Sequence, residues 1–217
     1  MLLERVAEMS LALELRADPH TQRIRWTQGA VRRLAESGVI DLESFELLEG
    51  ELIFKVKNRR HFAALRRVLA YLRGAFGDDV LQHEMPIQVS DSPTDDDATL
   101  PEPDVALLRQ PSDSFLEEAP RPSDIRLLIE IADSTRARDL GSKAQLYAAA
   151  GIPEYWVLDL TRRLLHIHRQ PSSEDWREVR QLTEKEQAAP QEAPQATVLV
   201  ADLLPPVEQS GDTQPGA

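Results

Sequence analysis

Asp104, Glu130 and Lys143 are the residues of this 217-residue chain whose types and placement could do chemistry together. Asp104 opens an apolar run, DVALL, and Glu130 sits near the end of another, IRLLIEIA. Strand side chains alternate, so Asp104 shares a face with Ala106 and Leu108, and Glu130 shares one with Leu128 and Ala132. A carboxylate in an otherwise apolar strand is costly unless it is paired or bound to a cation. If the two strands are neighbours, the pair could converge on a hard divalent ion, Mg2+ or Mn2+, which takes about six oxygen ligands. Such an ion polarises a phosphoryl oxygen, acidifies water and positions reactants, which is what phosphodiester hydrolysis requires. Lys143, the only lysine between Lys57 and Lys185, follows Glu130 on a helical pattern and could orient water or meet transition-state charge. Each residue alone also has a plainer reading: a strand-entry aspartate after Pro103, an edge charge, and a solvated helix lysine.

The elements that would position these groups read as a mixed α/β domain. Residues 26–38 pattern as a helix, with Thr27 as N-cap and Gly38 as its stop. A hairpin is expected from 45–48 paired with 52–56. A helix over 61–76 follows, with Phe62, Leu65, Val68, Leu69 and Leu72 as its apolar face. Residues 80–89 read as a strand interrupted by Pro86, and therefore near an edge. Strands are expected at 104–108 and 125–132, then a single helix over 136–150 ended by Gly151 and Pro153. A second hairpin joins 154–160 to 164–169, and 177–182 and 197–200 read as weaker strands. Residues 1–25 are expected to be an N-terminal extension, either a short amphipathic helix or frayed chain. The domain proper spans 26–204, and 205–217 reads as a loose tail.

Composition narrows the function. With no cysteine there is no disulfide, thiolate zinc site or cysteine nucleophile, which fits a cytoplasmic setting. The apolar runs are too short for a membrane span of about 20 residues, and the first 25 residues lack the pattern of a signal peptide. No glycine-rich phosphate loop or nucleophile elbow appears, so no organic cofactor is expected. The net charge of −12 opposes nucleic-acid binding. Against it, Lys55, Lys57, Arg59, Arg60, Arg66, Arg67 and Arg73 are clustered in the sequence. His61 reads as a phosphate contact or as a capping or exposed histidine. His83, His166 and His168 read as structural, and Tyr147, Tyr155 and Trp156 as packing residues.

The phrases PDVA from Pro103, LIEI from Leu128, KAQLY from Lys143 and GIPEYWVLD from Gly151 occur in one order with compact spacing. With Trp26-Thr27, FELLEGE from Phe45, and His61 upstream, this set resembles the Uma-two family, a bacterial branch of the PD-(D/E)XK superfamily. The resemblance covers residues 25–169. It implies an α/β, restriction-endonuclease-like core, α+β in its mixed sheet, with flanking helices and an N-terminal hairpin. It also implies metal-dependent cleavage of DNA. By that likeness Asp104 is the aspartate of the PD motif, Glu130 the second acidic metal ligand, and Glu46 an additional upstream acid. The superfamily pattern places its lysine two residues after the acid, where this chain has Ala132, so the resemblance transfers that role to Lys143. The alternative is a nuclease fold that has lost catalysis and serves in binding or regulation. A homodimer is expected, because cutting both strands takes two centres and two-fold pairs are the commonest assemblies.

Overall fold

The computed structural model describes residues 16–17, 24–41, 44–55 and 57–206. The anticipated N-terminal extension therefore lies outside the described residues, apart from two short paired strands, β1 (Arg16–Ala17) and β2 (Ile24–Arg25). Of the anticipated tail, residues 207–217 lie outside them too.

Six strands form the central sheet, β5 (Leu81–His83), β6 (Val105–Leu108), β7 (Ile125–Ala132), β8 (Glu154–Asp159), β9 (Leu164–Pro171) and β10 (Trp176–Thr183). They lie side by side in chain order. The β7–β8 pair is parallel and the other four pairs are antiparallel. The parallel pair needs a crossover, supplied by α3 (Arg136–Asp139) and α4 (Ser142–Ala149). Seven of the eight residues of β7 are buried, as expected of a central strand covered on both faces.

Apart from Ile125, where the β6–β7 register shifts, the odd and even residues of β6 and β7 serve two separate cores. Val105, Leu107, Leu127, Ile129 and Ile131 pack against α2 (Arg59–Phe76) through Ala64, Leu65, Val68, Leu69 and Leu72. Ala106, Leu108, Leu128 and Ala132 pack on the other face against Ala144, Tyr147 and Ala148 of α4. Asp104 and Glu130 continue the second set, the face that α4 covers.

Outside the sheet, α1 (Gln28–Glu36) starts on Thr27, whose hydroxyl accepts from Ala30 N at 3.2 Å, and the chain leaves it through Gly38 at φ 71°. The strands β3 (Phe45–Leu48) and β4 (Glu51–Phe54) pair around Glu49-Gly50, both with positive φ, the two-residue turn that matches strand twist. Short β11 (Gln187–Ala188) and β12 (Val198–Leu199) pair, and the single turn α5 (Val200–Leu203) closes over α2.

Four expectations need correction. The strand over 80–89 is only β5, at the sheet edge; Glu84 then adopts a left-handed backbone at φ 53° and the chain turns away before Pro86. The helix over 136–150 is two helices, because the chain folds back at Gly141, where a Cβ would sit 2.6 Å from the Ala137 carbonyl oxygen. The apolar face of α2 holds at Leu65, Val68, Leu69 and Leu72 but not at its first position, where Phe62 is 49% exposed and the neighbouring His61 is buried instead. The second strand of the first hairpin begins and ends earlier than expected, and Val56 lies outside the described residues.

Candidate metal centre

The start of α2, the chain just before β6, the end of β7, Glu46 of β3 and the first turns of α3 and α4 meet in one pocket. Glu46, Asp104, Glu130 and Lys143 all line it, together with His61, Arg138 and Asp139. Glu49 and Glu51 are exposed and Gln145 lies on the outer face of α4.

Asp104 is placed by the sheet itself. The β6 ladder ends at Val105, opposite Ile129, and the next inward-facing amide of β7 would go unpaired. Asp104 Oδ2 takes it, accepting from Ile131 N at 2.6 Å. That leaves Oδ1 facing the pocket, where His61 Nε2 lies 3.2 Å away. His61 is set by the start of α2. Asn58 caps that helix with Oδ1, accepting from Arg60 N and His61 N, and its amide nitrogen donates to Asp133 just past β7. The imidazole then reaches the Ile131 carbonyl with Nδ1 at 3.2 Å. A carbonyl only accepts, so Nδ1 carries a proton and Nε2 is the ring atom turned toward the carboxylates, free to carry a second proton or to bind a cation through its lone pair.

Glu84 completes the cluster. Its amide donates to Asp104 O at 3.1 Å, and its Oε1 lies 3.9 Å from His61 Nε2 and 3.0 Å from Lys57 Nζ. One ligand atom from each of His61, Glu84 and Asp104 lies within 4.8 Å of the others. His61 Nε2 and Glu84 Oε1 are buried without a hydrogen bond. A lone pair and two carboxylates facing one another are stabilised only by a proton or a cation. Burial pulls the His61 pKa down, but the adjacent Asp104 carboxylate, the Ile131 carbonyl and Glu84 outweigh it, and the net shift is upward. These residues fit a divalent cation. The backbone-anchored Nδ1 is the outer-shell arrangement of a ligating histidine.

Next to the triad is a second, saturated cluster. Lys143 Nζ lies 2.8 Å from both Glu46 Oε2 and Glu130 Oε1 and donates to the Glu102 carbonyl at 3.4 Å. Tyr147, one turn along α4, donates its hydroxyl to the same Glu130 oxygen at 3.2 Å. Burial works against the Lys143 ammonium, yet Glu130 and Glu46 hold its pKa well above the usual lysine value. Burial pushes the Glu130 carboxyl upward, with Lys143 opposing it. Burial likewise raises Asp139, again opposed by Lys143; its carboxylate accepts from the Thr135 hydroxyl.

His61 and Glu84 were not proposed as ligands from the sequence. The spacing of four between Asp139 and Lys143 is an available signal for Asp139, whereas Glu84 carries none, lying just past the edge strand β5 and twenty residues before Asp104. Tyr147 packs as expected but also binds Glu130. His166 and His168 are buried in β9, in keeping with structural roles.

The mixed sheet with its crossover helices and the polar cleft at one end define a restriction-endonuclease-like protein with a nuclease-type fold and a candidate metal-binding triad. The chain belongs to the Uma2 family, described as "Putative restriction endonuclease", whose model matches residues 34–201. Its fold is similar to that of a protein of known structure from Anabaena variabilis ATCC 29413, described as a putative nuclease belonging to DUF820. That likeness has a TM-score of 0.59 at 12% identity and covers 78% of this chain and 96% of the other. No curated protein matches. Among the described residues, no helix is long and apolar enough to cross a membrane.

Proposed function

We propose that this chain is a divalent-metal-dependent endonuclease that hydrolyses phosphodiester bonds in DNA, with residues 26–204 as the working unit. The observation that carries the reading is the convergence of His61, Glu84 and Asp104 beside the buried Lys143. Asp104 would hold the ion in any arrangement. Glu130 would join it through the oxygen that Lys143 and Tyr147 leave free, and the imidazole and Glu84 would complete the set. A bound cation supplies charge neutralisation at the phosphoryl oxygens and a more acidic water.

The residues have separable duties. Asp104 and His61 are held by the Ile131 amide and carbonyl, so the ligand atoms are preorganised by the backbone of β7. Glu46, Glu130 and the Glu102 carbonyl take the three N–H groups of Lys143, so its part is that of a fixed positive charge beside the site where phosphoryl charge develops. An imidazole among the donors favours Mn2+ over Mg2+, because magnesium prefers an all-oxygen shell. DNA is the substrate favoured by the exposed arginines of α2, Arg59, Arg66 and Arg73, which recur at seven-residue steps on the helix that begins at the pocket. We also propose a homodimer, which a monodisperse monomer at micromolar concentration in light scattering would rule out.

The test is cleavage of supercoiled plasmid with Mg2+ or Mn2+ by wild type, Asp104→Ala and Lys143→Ala, each shown folded by circular dichroism. Metal-dependent nicking lost in both variants supports the reading. Equal inactivity of all three across metals and salt leaves the alternative, a nuclease-derived binding or regulatory protein. The net charge of −12 and Ala132 in the usual lysine position favour that alternative. Equal activity in all three places the chemistry elsewhere.

A further inference from the structure

Resting on the hydrolase reading, we infer that Arg138, in α3, is the pocket's phosphate clamp and a catalytic residue in its own right. Four lysine and arginine side chains line the pocket among the described residues, and three of them are committed to carboxylates. Lys55 Nζ lies 2.6 Å from Glu102 Oε2, Lys57 Nζ lies 3.0 Å from Glu84 Oε1, and Lys143 is shared by Glu46 and Glu130. Arg138 differs. Its terminal nitrogen has only a 3.5 Å approach to Glu46 Oε1, and its Nε is buried with no hydrogen-bond partner.

A guanidinium is a planar fork that binds two oxygens of one anion at once, and a buried N–H left unused costs stability until an acceptor binds it. Glu46 cannot satisfy the fork, because its other oxygen is on Lys143; it steers both cations while leaving Arg138 with donors to spare. The ligand class is a tetrahedral phosphoryl group with two non-bridging oxygens, the group that hydrolysis presents at this spot. In the reaction a water oxygen bonds to phosphorus and loses a proton. One ester P–O bond breaks, and the departing alkoxide gains a proton. Arg138 forms no covalent bond and holds the non-bridging oxygens while their charge rises. Lys143, saturated by two carboxylates and a carbonyl, has no such freedom, which divides the work that one lysine is expected to do alone.

The experiment uses the full chain loaded with Mn2+, with inorganic phosphate as the probe, and compares wild type, Arg138→Gln and Arg138→Lys by calorimetry. The expected result is phosphate affinity at least tenfold lower in Arg138→Gln, with Arg138→Lys between the two. Mn2+ affinity by electron paramagnetic resonance and Tm should be unchanged in both variants. In parallel, turnover of bis(4-nitrophenyl) phosphate, which has one phosphodiester and no further backbone, should fall about a hundredfold in kcat/KM. Phosphate affinity within twofold of wild type in Arg138→Gln overturns the assignment. So does a loss that comes with lost Mn2+ affinity, and so does wild type that binds no phosphate. If wild type turns over neither the ester nor DNA while the contrast in phosphate affinity holds, the hydrolase reading fails and the anion seat at Arg138 stands.

Discussion

The ammonium of Lys143 lies between two buried carboxylates, so removing it leaves Glu46 and Glu130 without their shared cation. Breaking such a cluster by deleting one partner costs about 3–5 kcal/mol, because the remaining charges stay buried. Lys143→Met is therefore expected to lower stability by about that amount in urea denaturation. A variant as stable as wild type would show that Glu130 takes up a proton instead, the direction in which burial already pushes it. For this reason activity lost on substituting Lys143 has to be read beside a folding measurement, whereas Asp104, held by one backbone amide at the pocket rim, is the cleaner probe of chemistry.

At the scale of elements, the break between α3 and α4 aims the pocket's cations. Gly141 lets the chain pass against the Ala137 carbonyl, and a methyl group there would meet a backbone oxygen that cannot move without unseating α3. Gly141→Ala is expected to cost about 1–3 kcal/mol, as overpacking does. It should also reduce cleavage more than that loss explains, since Arg138 precedes the bend and Lys143 follows it; a melt and an initial-rate measurement on one preparation check both. The arginine stripe of α2 gives a second expectation. Arg59→Gln with Arg66→Gln should weaken DNA binding regardless of sequence and flatten the slope of log affinity against log salt by about 2, measured by fluorescence anisotropy. An unchanged slope would mean that DNA approaches by another face.

Over the whole molecule, the charge of −12 makes any DNA complex rest on that local stripe, and binding should collapse steeply as salt rises. Stability also carries a pH signature from β9. Burial beside Tyr155 and Trp176 lowers the His168 pKa to about 4. The folded state then binds this proton less readily than the unfolded chain, whose histidine titrates near 6.5. The contribution is complete above pH 6.5 and is lost as pH falls toward 4, to a total of about 3 kcal/mol. His166 shifts in the same direction, also through burial. The raised carboxyls of the pocket act oppositely, so the readout is the difference between wild type and His168→Gln across that range, which should narrow by about 3 kcal/mol from pH 7 to pH 4. A difference that stays constant with pH would show His168 free to take a proton in the folded state.

Much of this was legible in the linear chain because it depends on neighbours. Alternation in β6 and β7 put Asp104 and Glu130 on one face, and Thr27 and Gly38 bounded α1 by local backbone rules. The residues 125–132 announced a strand buried on both sides. What could not be read locally were contacts made across the sheet. Phe62 is the better core residue by type, but His61 is the buried one, because its ring finds Ile131 and Asp104, tens of residues away along the chain. Glu84 reaches His61 and Lys57 through a left-handed turn just past an edge strand, and Gly141, passing close to a carbonyl four residues earlier, breaks an apparently continuous helix. Periodicity and capping are set within a turn or a strand, so the sequence by itself determined the elements and the faces that carry the acids. Which oxygen meets which nitrogen depends on how the ends of four elements pack together, and only the tertiary structure decided that Lys143 is spent on Glu46 and Glu130 while Arg138 is left with a donor unused.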